Sequence, residues 1–298
     1  MSVAAAPLDR RAYIRDVSAR TLRRRQIRGG VYTTLCGLAL LIALVPIVAI
    51  IGYTVSQGIG AWSVQFFTHL PTPSGIPGGG ISNALIGSLI IDGLASLMAL
   101  PVGIIVALFL SEQRNAVAGA VRFIVDVAAG LPAITIGLFA YAIVVVPQGH
   151  FSAFSASVAL AVLMLPVVIR AGEGAIRSVP PDLWEAGIAL GVRRARVART
   201  VILPAALPGL ITASLLAISR AVGEAAPLLF TAIGSTFLVT NLARPMASLP
   251  LVIYLDGIQA YPDLQRTAWG TALTLLVIVV LLNLGARLLA RRMRRYTR

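Results

Sequence analysis

The amino-acid sequence predicts an all-α integral membrane protein with six transmembrane helices and with its N- and C-termini cytoplasmic. Three observations predict it. Of 298 residues, 58% are hydrophobic and only 12% are charged, where a soluble domain carries about a quarter charged residues; the surface is suited to a solvent other than water. The apolar residues gather in runs near the length of about 20 that a helix needs to cross the hydrocarbon. The basic residues sit at the ends of those runs, and their density alternates from one connection to the next, as the positive-inside rule requires. A net charge of +14 on a soluble chain would point to nucleic acid. Here the charge is not spread over a soluble face, so membrane lipid and no nucleic acid is the expected partner.

The six candidate spans are residues 31–54, 82–110, 123–146, 152–169, 205–232 and 270–290. The second and fifth are long enough to tilt or to extend beyond the hydrocarbon. Pro46, Pro101, Pro132 and Pro166 lie inside spans. They read as kinks whose freed carbonyls are satisfied by neighbouring helices. The first span exceeds the roughly 7–15 residues of a secretory-signal core, and no small-x-small site follows it, so it reads as a retained helix.

Arginine placement sets the orientation. Residues 1–30 carry eight Arg, 55–81 none, 111–122 two, 147–151 none, 170–204 six, the long 233–269 loop two, and 287–298 six. The expected organisation is a 1–30 Arg-rich cytoplasmic tail, a first transmembrane helix at 31–54, a transmembrane domain at 82–290 with a cytoplasmic loop at 171–204, and a 291–298 basic cytoplasmic tail. The first tail also holds Leu8, Ile14, Val17 and Leu22. It either lies along the anionic inner leaflet or is a disordered topogenic segment. On the outer side, residues 72–80 form a Pro/Gly turn. The apolar piece at 246–255 is too short to span.

Several chemistries are excluded. All 25 basic residues are Arg, and a phosphate-binding P-loop needs a Lys, so the chain is not expected to be an ATPase. No catalytic residues, cofactor or metal site are expected. The one cysteine, Cys36, has no partner in the chain. His69 and His150 stand alone in loops and read as surface residues.

The 171–204 loop has a definite local grammar. Pro180 and Pro181 suit a first helical turn, and Asp182 and Glu185 favour the positive end of the helix dipole. Leu183, Trp184, Ala186 and Leu190 give an apolar side, and Gly191 supplies a left-handed cap. A second short helix at 193–202 is expected to stop at Leu203-Pro204. The product is a helix–glycine turn–helix knuckle. Composition alone does not exclude an ordinary amphipathic loop between spans.

Ionisable residues inside spans are expensive and mark a pathway or a pair. Asp92 falls on an Ala84–Ser88–Asp92–Ser96 repeat that gives the second span a small, polar stripe. Asp126, four residues after Arg122, reads as an interfacial pair with it. Arg220 and Glu224 stand four apart on the fifth span. Arg220 either offers a planar fork of donors to an anion, with Glu224 orienting it, or closes a structural salt bridge with Glu224; the two are compatible.

The run Glu185-Ala186-Gly187-x3-Gly191-x9-Val201-x-Leu203-Pro204 resembles the EAA loop of ABC importer permeases, usually Glu-Ala-Ala-x3-Gly-x9-Ile-x-Leu-Pro. Gly187 replaces the second Ala, which is expected to loosen the helix by about 1 kcal/mol; Val201 replaces Ile. Residues 220–232 (RAVGEAAPLLFTA), 101–112 and 132–139 resemble phosphate importer permeases of the PstA type. The resemblance runs from about residue 78 to 289. It implies the type I ABC importer permease (MetI-like) fold in the bacterial plasma membrane, with 82–290 as the ABC permease domain. It implies a coupling loop of Glu185, Ala186, Gly187, Gly191, Leu203 and Pro204, and a substrate path including Arg220, Glu224 and Asp92. It also implies a PstC-like permease as heterodimer partner, two copies of a PstB-like ATP-binding subunit, and a PstS-like phosphate-binding protein. The rival readings are a permease for another oxyanion (phosphonate, sulfate, molybdate), a secondary carrier acting alone, and a signalling subunit.

Overall fold

The computed structural model describes residues 10–76 and 78–296, so the expectation for Leu8 lies outside the described residues. The chain divides into two compact units between Val55 and Ser56. The first is carried by α1, Arg10–Gly58, a 49-residue helix with Pro46 inside it. At about 1.5 Å per residue it is far longer than the hydrocarbon is thick. Residues 10–30, where a disordered tail was one expectation, continue the same helix.

The second unit is assembled around α7, Ala153–Arg177, which is buried along most of its length. Its N-terminus is fixed by a reciprocal Ser152–Ser155 capping box. Its main neighbour is α3, Ser82–Glu112. The two approach closely because α3 presents Ala95, Ala99, Gly103 and Ala107. A methyl group at Gly103 would lie 2.6 Å from the Val168 side chain. In lipid no hydrophobic force draws helices together, so small residues that admit close contact decide the pairing. The small stripe expected on α3 is only partly the packed one. Ala84 and Ser88 are buried, while Asp92 and Ser96 turn toward the edge of the contact, because a four-residue repeat drifts around a 3.6-residue helix.

The expected third span is not one kinked helix. It is α4, Ala116–Gly130, and α5, Ala133–Ala140, the latter prolonged through a π turn at Tyr141–Val145 into α6, Val146–Gln148. The two arms meet at 105°. The residue before a proline is pushed out of the α region, and Leu131 is extended with ψ 136° ahead of Pro132. The fourth span runs to Arg177 rather than ending at residue 169.

The loop beyond it folds as α8, Asp182–Ala189, and α9, Arg194–Val197. The second knuckle helix does not stop at Leu203-Pro204. A π turn at Ala198–Ile202 carries it into α10, Leu203–Ala221. The Leu203 N–H donates to the Ala198 carbonyl five residues back. This wider register lets the chain pass Pro204, which lacks an N–H and crowds the carbonyl four residues earlier. The same device precedes Pro147, where the Val146 N–H donates to Tyr141 O.

The fifth span is also interrupted. α10 ends at Ala221, a turn covers 222–225, and α11 is Ala226–Thr231 with Pro227 in its first turn. The short apolar piece is α12, Leu249–Gly257, packed on the last helix, α13, Pro262–Tyr296. Between α1 and α3 lies α2, Val64–Thr68. Five described helices are long and apolar enough to span a membrane, and the bent pair makes up to six.

Candidate functional site

The knuckle is built as its residue order dictates, with one surprise. Gly191 takes φ +75°, the left-handed conformation that lets α8 end and α9 turn back. Gly187 does more than loosen α8. A methyl group there would lie 2.8 Å from both γ-carbons of Val197, which is buried. The glycine therefore allows α8 and α9 to touch. The expected apolar side divides in two. Trp184 turns inward beside Val197 and Ile202. Leu183, Ala186, Ile188 and Leu190 face outward, with Leu190 82% exposed. Glu185 and Pro204 are exposed and Leu203 is half-buried. The result is a rigid projection with an apolar tip and an acidic first turn.

The knuckle is tied to the membrane helices by charge. Arg194 lies over the Trp184 ring, 5.4 Å from its centroid, and its Nε is 3.3 Å from Glu112 Oε2 at the end of α3. Behind it lies a cluster that the sequence reading missed. Glu173 on α7, buried at 4% exposure, meets Arg122 Nε at 3.0 Å, Arg177 Nη2 at 2.9 Å and Arg170 Nη1 at 3.4 Å. Arg122 also donates to the carbonyls of Leu110 and Gln113 at the C-terminal end of α3. Asp126 pairs with Arg170. The expected Arg122–Asp126 pair is thus not formed. The buried carboxylate and the helix-end carbonyls need the guanidinium more than a half-solvated Asp126 does. A fourth span ending at residue 169 leaves Glu173 in the loop beyond it. Arg170 and Arg177, at i−3 and i+4, were the signal that it is held on a helix.

At the far end of α10, Arg220 occupies the last helical turn and Glu224 the break beyond it, so the two are not on one continuous helix as expected. Their closest approach is 4.0 Å, and the Arg220 side chain is 50% exposed. Such a pair is loose, and most donors of the guanidinium remain free of the carboxylate. The segment is seated by close packing: a methyl at Gly137 on α5 would lie 2.7 Å from Pro227 Cα. Thr231 O at the end of α11 accepts from Ser152 N at 3.1 Å and Ser155 Oγ at 2.8 Å. The 132–139 and 220–232 stretches singled out separately in the sequence are therefore neighbours in space. Asp92 is half-buried on α3 and has no ion-pair partner among the described residues; nothing joins it to Arg220.

On the α12 side, Asp256 lines two cavities of about 340 and 300 Å³. Burial, and after it the neighbouring Asp263 carboxylate, push Asp256 up to about 6. His69, His150 and Cys36 are exposed, and among the described residues no group of His, Cys, Asp and Glu could hold a metal.

Residues 99–295 match the family described as the binding-protein-dependent transport system inner membrane component. That range holds the knuckle, the Glu173 cluster and Arg220 but not Asp92. The phosphate transport system permease protein PstA of Yersinia pestis is 38% identical over 252 residues, covering 84% of this chain and 85% of its own length. The protein of the same name from Xylella fastidiosa strain Temecula1 is 38% identical over 270 residues, covering 90% of this chain and 93% of its own. Among solved structures, the MetNI methionine ABC transporter in an inward-facing conformation superposes with a TM-score of 0.60 at 22% identity, covering 72% of this chain and 95% of its own. That likeness shows the expected MetI-like fold. The chain belongs to the family of binding-protein-dependent transport system inner membrane components, and within it to the PstA-type permeases.

Proposed function

We propose that this chain is the permease subunit of an ATP-driven, binding-protein-dependent importer of inorganic phosphate, forming half of the translocation path. The observation that carries the reading is the half-exposed, loosely paired guanidinium of Arg220 in a chain whose relatives are phosphate transport permeases. A guanidinium fork suits a tetrahedral oxyanion. Glu224 at 4.0 Å recaptures the cation once the anion has left, so the site binds transiently and releases. Asp92, which no contact joins to Arg220, is the third proposed member of the path.

ATP hydrolysis belongs to a partner, since the chain has no Lys to complete a P-loop. The outward apolar tip of α8 with Glu185, Ala186, Gly187, Gly191, Leu203 and Pro204 is the proposed docking element for a PstB-like ATP-binding subunit, present in two copies. A PstC-like permease forms the other half of the path. A PstS-like protein delivers phosphate on the side of α12, and the knuckle faces the cytoplasm. Alternating access follows: closure of the ATP-binding pair moves the knuckle, and the knuckle rocks the spans around Arg220.

Arg220→Gln tests the assignment. Phosphate uptake is expected to be abolished, while the variant still co-purifies with its partner subunits. Unchanged accumulation of labelled phosphate removes Arg220 from the mechanism. Labelled phosphonate, sulfate or molybdate entering by the same route in place of phosphate overturns the substrate.

A further inference from the structure

We propose that Glu173 is a positioning residue through which movement of the knuckle reaches the broken third span. The inference rests on the docking role given to the knuckle above. A continuous set of contacts supports it. Arg194, stacked on Trp184 in the knuckle, is paired with Glu112 at the last residue of α3. The carbonyls of Leu110 and Gln113, on either side of Glu112, accept from Arg122 of α4. Arg122 and Arg177 share one oxygen of Glu173, and Arg170 takes the other while also pairing with Asp126 of α4. Arg170 further donates to the Arg122 carbonyl at 3.4 Å. One buried carboxylate on the central helix therefore holds the α4 arginine that is bonded to the α3 end, the end paired with the knuckle.

The charge balance makes this joint stiff. Three guanidinium groups face two carboxylates, and only Glu173 touches all three. With Glu173 neutral, the cations repel one another and keep Asp126, the α3 carbonyls and the Arg122 carbonyl as acceptors. Beyond the joint, α4 turns through 105° into α5, whose Gly137 rests on Pro227, three residues after Glu224. The same contacts thus lead from the docking element to the proposed anion site. Contiguity by itself does not establish coupling, so the test measures coupling directly.

The test uses the complete importer in proteoliposomes, with phosphate uptake and ATP hydrolysis read in the same vesicles. Glu173→Gln is expected to assemble and to hydrolyse ATP near the wild-type rate, while phosphate moved per ATP falls about ten-fold or more. A second readout places spin labels at Ala195→Cys on α9 of the knuckle, away from the docking tip, and Phe123→Cys on α4, with Cys36 replaced by Ser. In the otherwise wild-type chain, knuckle and α4 move together, so the distance between labels holds when nucleotide is trapped. In Glu173→Gln it changes. Should Glu173→Gln not assemble, the double variant Arg122→Gln/Asp126→Ala carries both measurements with the same expectation, because it removes both side chains that tie α4 to the cluster and leaves Glu173 paired with Arg170 and Arg177. An unchanged ratio of phosphate to ATP, or a distance that holds in the variant, overturns the proposal. The distance readout needs no transported anion. A wild-type complex that shows joint movement yet takes up no phosphate refutes the substrate assignment and not the role of Glu173.

Discussion

Arg122 stands four residues before Asp126 on α4, yet its guanidinium turns away to Glu173. Helical spacing makes a pair available and contributes only about 0.2–0.5 kcal/mol at a surface. A carboxylate buried by tertiary packing needs countercharge by several times that amount, so the distant partner wins. This is why spacing arguments identified the charged residues of α4 and missed whom they serve. Gly187 shows the same limit. Substitution by Ala gains about 1 kcal/mol of helix propensity but forces a methyl onto both γ-carbons of Val197, an overlap of about 1–3 kcal/mol. Gly187→Ala is therefore expected to weaken the knuckle, read as reduced co-purification of the ATP-binding subunit; an equal or higher yield shows that Val197 can yield. Asp256 offers a pH readout. Its raised pKa means that the folded state holds the proton more tightly, so the stability contributed by protonation is full below about pH 4 and lost as pH rises through about 6. Asp256→Asn removes that dependence. The variant should melt above wild type at about pH 7.5 and match it near pH 4; coincident melting at both values refutes burial as the cause.

At the scale of elements, the positions of the spans were legible because length and hydropathy alone decide what crosses a bilayer. Their continuity was not. Four prolines inside spans all read as kinks, but Pro101 and Pro166 lie within unbroken helices, while Pro132 marks a right-angled break. The difference is tertiary. α5 can leave the axis of α4 because Gly137 lets it lie directly on Pro227 of α11, and that contact joins residues far apart in the chain. Pro147 and Pro204 are accommodated in a third way, by π turns that shift the hydrogen-bond register. The first knuckle helix and its glycine turn, by contrast, were legible, since the proline start and the αL glycine are local chemistry; the end of the second helix and the facing of Trp184 were not, because both depend on packing against α10 and Val197. Gly137→Ala tests the α5–α11 contact. The new methyl meets backbone at 2.7 Å, which cannot move aside as a flexible side chain would. Phosphate uptake is expected to fall several-fold while the ATP-binding subunit still co-purifies, because the knuckle lies on other elements. Normal uptake removes the α5–α11 seam from the route to Arg220.

For the whole molecule, the decisive question is whether the bent pair crosses the membrane. Five long helices alone would put the two ends of the chain on opposite sides; six crossings put them on the same side. Arginine placement argues for six. Residues 1–30 carry eight Arg and residues 287–298 carry six, while the connection at 55–81 carries none. Were the bent pair re-entrant, one of the two Arg-rich ends would lie outside, against the bias that sets orientation. The ion network bears on the same point. Arg122 on α4 and Arg170 and Arg177 on α7 gather at the knuckle end of the bundle through Glu173. α4 starts there, and α7 ends there, so the chain between them must reach the opposite side before α7 can return. The 153–177 helix is long enough to cross by itself, which leaves the α4–α6 segment as the outward leg. Impermeant maleimide labelling of single cysteines, in a chain with Cys36 replaced, checks this. A cysteine at Ile76 or at His150 should react in intact cells, one at Leu190 only after permeabilisation, and tags at both chain ends should be protected. A reactive C-terminal tag, or a cysteine at position 150 shielded together with that at 190, would mean that the bent pair turns back within the bilayer and that the permease spans it five times.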